Sequence, residues 1–149
     1  TGPGAASMRA PHLPPSGGGT RTEAMTAPVA VVNFMNYEGW EWGRIAMHWE
    51  IDDRFVMPDG VMFGGHAACV ADHVAGLAAM TALDDSADRF RTSRLETNYF
   101  RPVTKPSVSI EGRAVNVSKT LIHVEADFWT PEKKLAVRIA AVQVRRRAA

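Results

Sequence analysis

Residues 65–83 read Gly-His-Ala-Ala-Cys-Val-Ala-Asp-His-Val-Ala-Gly-Leu-Ala-Ala-Met-Thr-Ala-Leu, and this stretch sets most of what the chain can become. It is the longest helical candidate. It is small and apolar nearly all round, where a surface helix would carry one apolar stripe, so it has to be buried. Asp84-Asp85-Ser86 ends it. A lone helix with almost no polar face needs a sheet wrapped around it.

The sheet is legible on both sides of that helix. Residues 44–51 alternate, with Ile45, Met47, Trp49 and Ile51 on one face and Arg44, His48 and Glu50 on the other, the pattern of a half-buried strand. Residues 52–60 carry the Asp, Pro and Gly of a loop. Further strands are expected at 93–100, 107–117, 121–130 and 135–144, with Arg101-Pro102 and Pro131-Glu132-Lys133-Lys134 between them. In the third of these, Ile122, Val124, Ala126 and Phe128 alternate against His123, Glu125 and Asp127. Consecutive strands with short connections must be antiparallel, so the class is α+β. Residues 28–42 mix aromatic and small side chains and are assigned a short helix followed by a turn at Glu38-Gly39.

Composition enters as a set of limits. The chain has 149 residues, one ordinary domain. Residues 1–27 are crowded with Gly, Pro, Ser, Thr and Ala; such a stretch cannot bury enough surface to offset its ordering entropy, so a disordered tail is expected, with residues 1–7 before Met8 a cloning remnant. The domain is then 28–149. A net charge of +1 gives no field for nucleic acid or an acidic membrane. Arg145-Arg146-Arg147 is expected to be a solvated tail. The single cysteine, Cys69, excludes an internal disulfide and a cysteine-based zinc cluster. No stretch reaches the roughly 20 apolar residues that span a bilayer, and no signal peptide is visible; the expected setting is a reducing cytoplasm.

The chemistry concentrates where the loop enters the helix. In Gly60-Val61-Met62-Phe63-Gly64-Gly65-His66, two glycines at a helix start allow close approach to the backbone. The first N–H groups of a helix lack internal partners and point outward at the positive end of its dipole, where a carbonyl oxygen gaining charge would be stabilised. Tight packing explains a Gly-Gly pair equally well. Asp72 is less ordinary: it sits among Ala, Val, Gly and Leu, aspartate is seldom buried unpartnered, and burial raises its pKa. At 100° per residue it shares a stripe with Gly65, Ala68, Ala75, Gly76 and Ala79, nearly bare of side chains, along which either a substrate or the same helix of a second subunit can approach. His66 and His73 lie seven apart on one face with Cys69 between them. Two turns separate them by about 10 Å, too far for one metal ion, and both point roughly 100° away from Asp72. They are ordinary polar contacts on this reading, with His73 able to meet a substrate from a neighbouring subunit.

Gly60-Val61-Met62-Phe63-Gly64-Gly65, then Asp72, then Asn98-Tyr99-Phe100-Arg101-Pro102 together resemble the hotdog-fold acyl-CoA thioesterases of the PaaI-like, phenylacetate-pathway branch, over most of residues 44–144. The resemblance implies an antiparallel sheet of five to six strands wrapped around one long central helix, a homodimer with active sites between subunits, commonly a dimer of dimers, and an acyl-CoA substrate with no cofactor and no metal. It implies that Asp72 activates water or attacks the thioester, and that the backbone of Gly64, with Gly65, is the oxyanion donor. It also puts Thr92 near the nucleophilic water. Two positions depart from the family pattern: Met57 stands where it has Asn, and Phe63 where it has His. Neither can make those hydrogen bonds; both make the pocket entrance more apolar. Arg101, Lys105, Lys119 and the C-terminal arginines are candidates for the coenzyme phosphates, with plain surface charge as the alternative for each. Three readings follow: a thioesterase using Asp72; a binder of acyl-CoA or a similar ligand without turnover, supported by Met57 and Phe63; and a hydratase or dehydratase, which would need His66 or His73 to pair with Asp72 as acid and base.

Overall fold

The computed structural model describes residues 35–83 and 88–147. The expectations for residues 1–27, for 28–34 and for a helix stop at Asp84-Asp85-Ser86 fall outside them. Among these residues six strands and one long helix follow in the order β1 (Met35–Glu41), β2 (Arg44–Glu50), α1 (Gly64–Thr81), β3 (Arg89–Tyr99), β4 (Ser107–Val117), β5 (Leu121–Trp129) and β6 (Leu135–Arg146), with a 3₁₀ turn at Asp53–Phe55 in the loop before α1. The sheet runs β1-β2-β4-β5-β6-β3 and every pairing is antiparallel. α1 packs on one face of it, touching β2 through β6. This is the hotdog arrangement.

One element differs in kind from its sequence assignment. Residues 35–41 are a strand and contain no helix. The chain reverses at Trp42-Gly43, between the paired residues Glu41 and Arg44, and Glu38-Gly39 carries a β-bulge instead of a turn. The two-residue loop needs a left-handed backbone, and Gly43 supplies it at φ +74°. The remaining elements lie where expected, with ends shifted: β3 begins at Arg89, four residues early, and β6 continues to Arg146.

α1 sits close to the sheet because its inner face is small. Ala67, Ala71, Ala75, Ala78 and Ala79 are buried beside Val70, Val74 and Leu77. Opposite them Gly112 of β4 has no side chain to spare: a Cβ there would lie 3.0 Å from Val74 Cγ1 and 3.2 Å from both Ala78 Cβ and Ile45 Cγ2. Gly112→Val should therefore destabilise the domain by about 1–3 kcal/mol through overpacking, read as a lower urea midpoint at an unchanged slope.

Two charged residues are placed differently from their expectations. Asp127, assigned to the outer polar face of β5, is 4% exposed. It accepts hydrogen bonds from Arg138 Nε at 2.7 Å and Nη2 at 3.1 Å, and from Arg113 Nη1 at 3.2 Å. The two long side chains from the flanking strands fold over it. Burial alone would raise its carboxyl, but the hydrogen bonds and charges of Arg138 and Arg113 outweigh that and hold it below the ordinary value. A depressed carboxylate stabilises the fold above its unfolded pKa, and that contribution disappears as pH falls through the folded value. Asp127→Asn should accordingly flatten the stability profile below about pH 4, measured as urea midpoints across the acid range.

Arg145, assigned to a solvated tail, is buried near the end of β6. Its Nη2 and Nε donate to Asp88 Oδ2 at 2.7 and 3.1 Å, its Nη1 to the Ser118 carbonyl at 3.2 Å. Alternation puts residue 145 on the inner face along with 139, 141 and 143, and Asp88 makes that burial tolerable.

Candidate active site

The sheet covers α1 on one side only. The uncovered stripe is Gly65, Cys69 and Asp72, all exposed, with Ala68, His73 and Gly76 partly so. Ala75 and Ala79, grouped with Asp72 by helical angle, turn into the sheet instead. Asp72 itself is exposed in the single chain, not buried as its neighbours in sequence suggested, because the stripe it occupies meets the sheet only at the β3 edge.

β3 delivers a hydroxyl to that carboxylate. Thr92 Oγ1 donates to Asp72 Oδ1 at 2.8 Å across 20 residues of sequence. Thr92 also lies 3.0 Å from Oε1 of Gln143, its partner across the β3–β6 ladder. A bulge between Thr92 and Arg94 shifts the register immediately after it; bulges re-aim side chains.

The helix start is two turns away. His66 and Ala67 N–H both donate to the Phe63 carbonyl, at 3.0 and 3.2 Å, which leaves Gly64 and Gly65 as the first-turn donors without an intrahelical acceptor. Phe63 is the N-cap and makes no side-chain cap hydrogen bond. Its exposed ring lies against Gly65, whose missing Cβ would fall 2.8 Å from Phe63 Cε1. Tyr99, at the end of β3, donates its hydroxyl to the Gly64 carbonyl at 2.5 Å. Next to this junction is a mostly apolar cavity of about 260 Å³, bordered by Met62, Gly64, Ala67, Tyr99 and Phe100 with Arg101 at its margin. Met57 is exposed in the turn that precedes the helix, its carbonyl accepting from Gly60 N–H at 2.8 Å.

The histidines part company. His66 is buried, its ring stacked on Phe55 at 3.7 Å and tilted against Trp49 at 5.2 Å; it is turned into the core, away from the open stripe that a ligand could reach. His73 is half-buried, and its Nε2 has no hydrogen-bond partner. Burial pulls its imidazole down to about 4, against the opposing pull of the Asp72 charge, so it is neutral at neutral pH. The cationic candidates are also separated. Arg101 adjoins Ala136 through its N–H at 3.1 Å, and Lys119 sits in the turn whose Thr120 accepts from Arg145 N–H at 2.7 Å. Along β6 these points are roughly 30 Å apart, so one subunit cannot bring both to the same phosphates. Lys105 is paired with Asp53. Among the described residues no three His, Cys, Asp or Glu side chains converge as a metal site, and no helix is long and apolar enough to cross a membrane.

Two residues at the site escaped the sequence. Tyr99 stood inside a recognised motif without a role. Gln143 occupied an inward slot of the last strand, whose two faces were not assigned.

Known proteins bear on this geometry. A protein of Saccharolobus solfataricus named as an esterase is 32% identical over 98 residues, 66% of this chain and 69% of that one. A Streptococcus pneumoniae thioesterase protein solved with coenzyme A superposes with a TM-score of 0.73 at 14% identity, covering 80% of this chain and 91% of the other. A Streptococcus mutans protein bound to acetyl CoA superposes at 0.69 with 18% identity, covering 75% and 88%. At those identities the two structures establish the shared fold. Over residues 59–137, more than half of the sequence, the chain matches the family model described as the thioesterase superfamily, and it belongs to that superfamily.

Proposed function

We propose that this chain hydrolyses an acyl-CoA thioester to the free acid and coenzyme A, as a PaaI-like enzyme, with Asp72 as general base or nucleophile. The observation that carries the proposal is the Asp72 carboxylate: it stands exposed on the one open stripe of an otherwise buried helix and is held there by Thr92 at 2.8 Å. Superfamily membership supplies the thioester chemistry. The structural neighbours holding coenzyme A and acetyl CoA support an acyl-CoA as the substrate.

In this reading the Gly64 and Gly65 N–H groups polarise the thioester carbonyl and stabilise the oxyanion. Seven residues of helix put Gly65 about 10 Å from Asp72 along the axis. A carboxylate attacking a carbonyl whose oxygen rests on such donors spans at most about 7 Å. Within one subunit the spacing therefore favours a water between Asp72 and the thioester. Direct attack requires the donors of a second subunit's helix.

A second subunit also has a natural seat. β3 is an edge strand of 11 residues, paired only with β6 among the described residues. An exposed edge of that length is normally covered. Antiparallel pairing of two β3 strands continues the sheet, brings the two open helix stripes face to face, and places Arg101 of one subunit at the same end as Lys119 of the other, where both can reach one coenzyme. The expected assembly is a homodimer, with a dimer of dimers as its extension; sedimentation should return a dimer or its multiple, and a monomer at working concentration would sink the shared site.

The second reading, binding without turnover, is favoured by Phe63, whose ring lies against Gly65, and by Met57 in the preceding turn. The deciding experiment is thiol release from short, long and aromatic acyl-CoAs. Release from one class supports hydrolysis. Ligand-dependent thermal stabilisation with no thiol from any of them supports the binder. A hydratase would need an imidazole paired with Asp72, whereas His66 is turned into the core and the buried Nε2 of His73 makes no hydrogen bond.

A further inference from the structure

Gln143 is among the largest fully buried side chains of the described residues, a polar one that follows the inward Val137, Ile139 and Ala141 along β6. Burying an amide costs free energy unless its hydrogen bonds are made. Gln143 Nε2 has no partner, while its Oε1 lies 3.0 Å from Thr92 Oγ1. Thr92 has one hydroxyl proton and two acceptors around it, Asp72 Oδ1 at 2.8 Å and Gln143 Oε1 at 3.0 Å. It can donate to only one. The charged carboxylate is the stronger acceptor. With the proton on that side, two oxygens with lone pairs would face each other at 3.0 Å. Turning the Gln143 amide over, which swaps its oxygen and nitrogen at unchanged volume, removes that clash: Nε2 then donates to Thr92 Oγ1, and the unpartnered place passes to Oε1, a carbonyl oxygen being less costly to leave unpaired than an N–H.

We infer that Gln143 is a positioning residue for the reaction, donating its amide N–H to Thr92 so that the Thr92 hydroxyl proton is directed at Asp72. The relay runs one way, Gln143 to Thr92 to Asp72. It spans β6, β3 and α1, and it fixes the rotamer of the carboxylate as well as its hydrogen bond. Gln143 never touches substrate; it is sealed behind Thr92. The inference rests on the proposed role of Asp72.

The test is a double-mutant cycle on thiol release, using an acyl-CoA that the wild type turns over. Gln143→Met keeps the volume and removes the donor. Freed from its partner, the Thr92 hydroxyl samples other directions, and kcat should fall about tenfold with KM changed less than twofold. In a Thr92→Val background the same Gln143→Met change should cost nothing further. Thr92→Ser, which keeps the hydroxyl, should retain the sensitivity to Gln143. Gln143→Asn, an amide too short to reach, should behave like Gln143→Met and serves in its place if the methionine variant does not fold. An equal loss from Gln143→Met with Thr92 and with Val at position 92 would overturn the relay, as would a loss confined to KM. Asp72→Asn separates the two failures: if it leaves thiol release intact, the Asp72 assignment falls; if it suppresses release while Gln143→Met does not, only the relay falls.

Discussion

With Asp72 in its proposed role, Asp72→Asn should lower kcat/KM for thioester hydrolysis by about 10²–10⁴-fold, the usual contribution of a positioned general base, and should leave the fold almost untouched. The substitution is isosteric. The amide oxygen of Asn can still accept from Thr92 Oγ1, so the 2.8 Å contact survives while the base does not. Because Asp72 is exposed in the chain, its replacement should move the unfolding free energy by no more than about 0.5 kcal/mol. Thiol release and urea unfolding on the same preparations check both halves. A large loss of rate with an unchanged urea midpoint identifies a chemical role. Unchanged rates mean that Asp72 is an interface residue and that the base lies elsewhere.

Asp88→Ala should cost about 3–5 kcal/mol of stability, the effect of removing one partner from a buried ion pair. The side chains of Arg145 and Asp88 are 2% and 3% exposed, with Nη2 and Oδ2 2.7 Å apart. Alanine at 88 takes from the buried guanidinium the carboxylate oxygen that accepts from its Nε and Nη2. The converse experiment is as informative. Replacing both partners, Asp88→Leu with Arg145→Met, should recover most of the loss, since a buried pair is often exchangeable for packed apolar residues. Urea midpoints for the two single variants and the double variant complete the cycle. The pair also ties the start of β3 to the end of β6, where Arg89 and Arg146 are cross-strand partners, three residues before Thr92. Loosening it should therefore lower activity as well.

The fold was readable because its strongest signal is local. A helix of Ala, Val, Gly and Leu with no polar face admits few environments, and β2 and β5 carry period-two alternation. β1 was not readable: Trp40, Gly39 and Trp42 resemble a helix-to-turn transition until the pairing with β2 is known, and β-propensity depends on such partners. Asp127 and Arg145 were misplaced for different reasons. Alternation gives Asp127 its outward direction but not the Arg138 and Arg113 side chains that fold over it, whereas Arg145 was read with the charge run that follows it, beyond the expected end of the strand. The site divides the same way. Asp72 and the two glycines stand out along one helix, whereas Thr92 and Gln143 meet it only through the sheet. The angular stripe around Asp72 was half right, since Ala75 and Ala79 lie on its edge and the sheet claims them.

The close seat of α1 on Gly112 and the alanine-lined inner face also governs how such a domain can change over generations. Any larger residue on that inner face meets backbone or a fixed side chain, so drift there is purged. The outward stripe meets the sheet only at the β3 edge, where Thr92 reaches Asp72 and Phe90 lies beside Gly76. Ala68 and Cys69 can be exchanged around a constant Asp72 at little expense to the folding of the single chain. New substrate preferences should accumulate along that single stripe while the rest of the helix stays still.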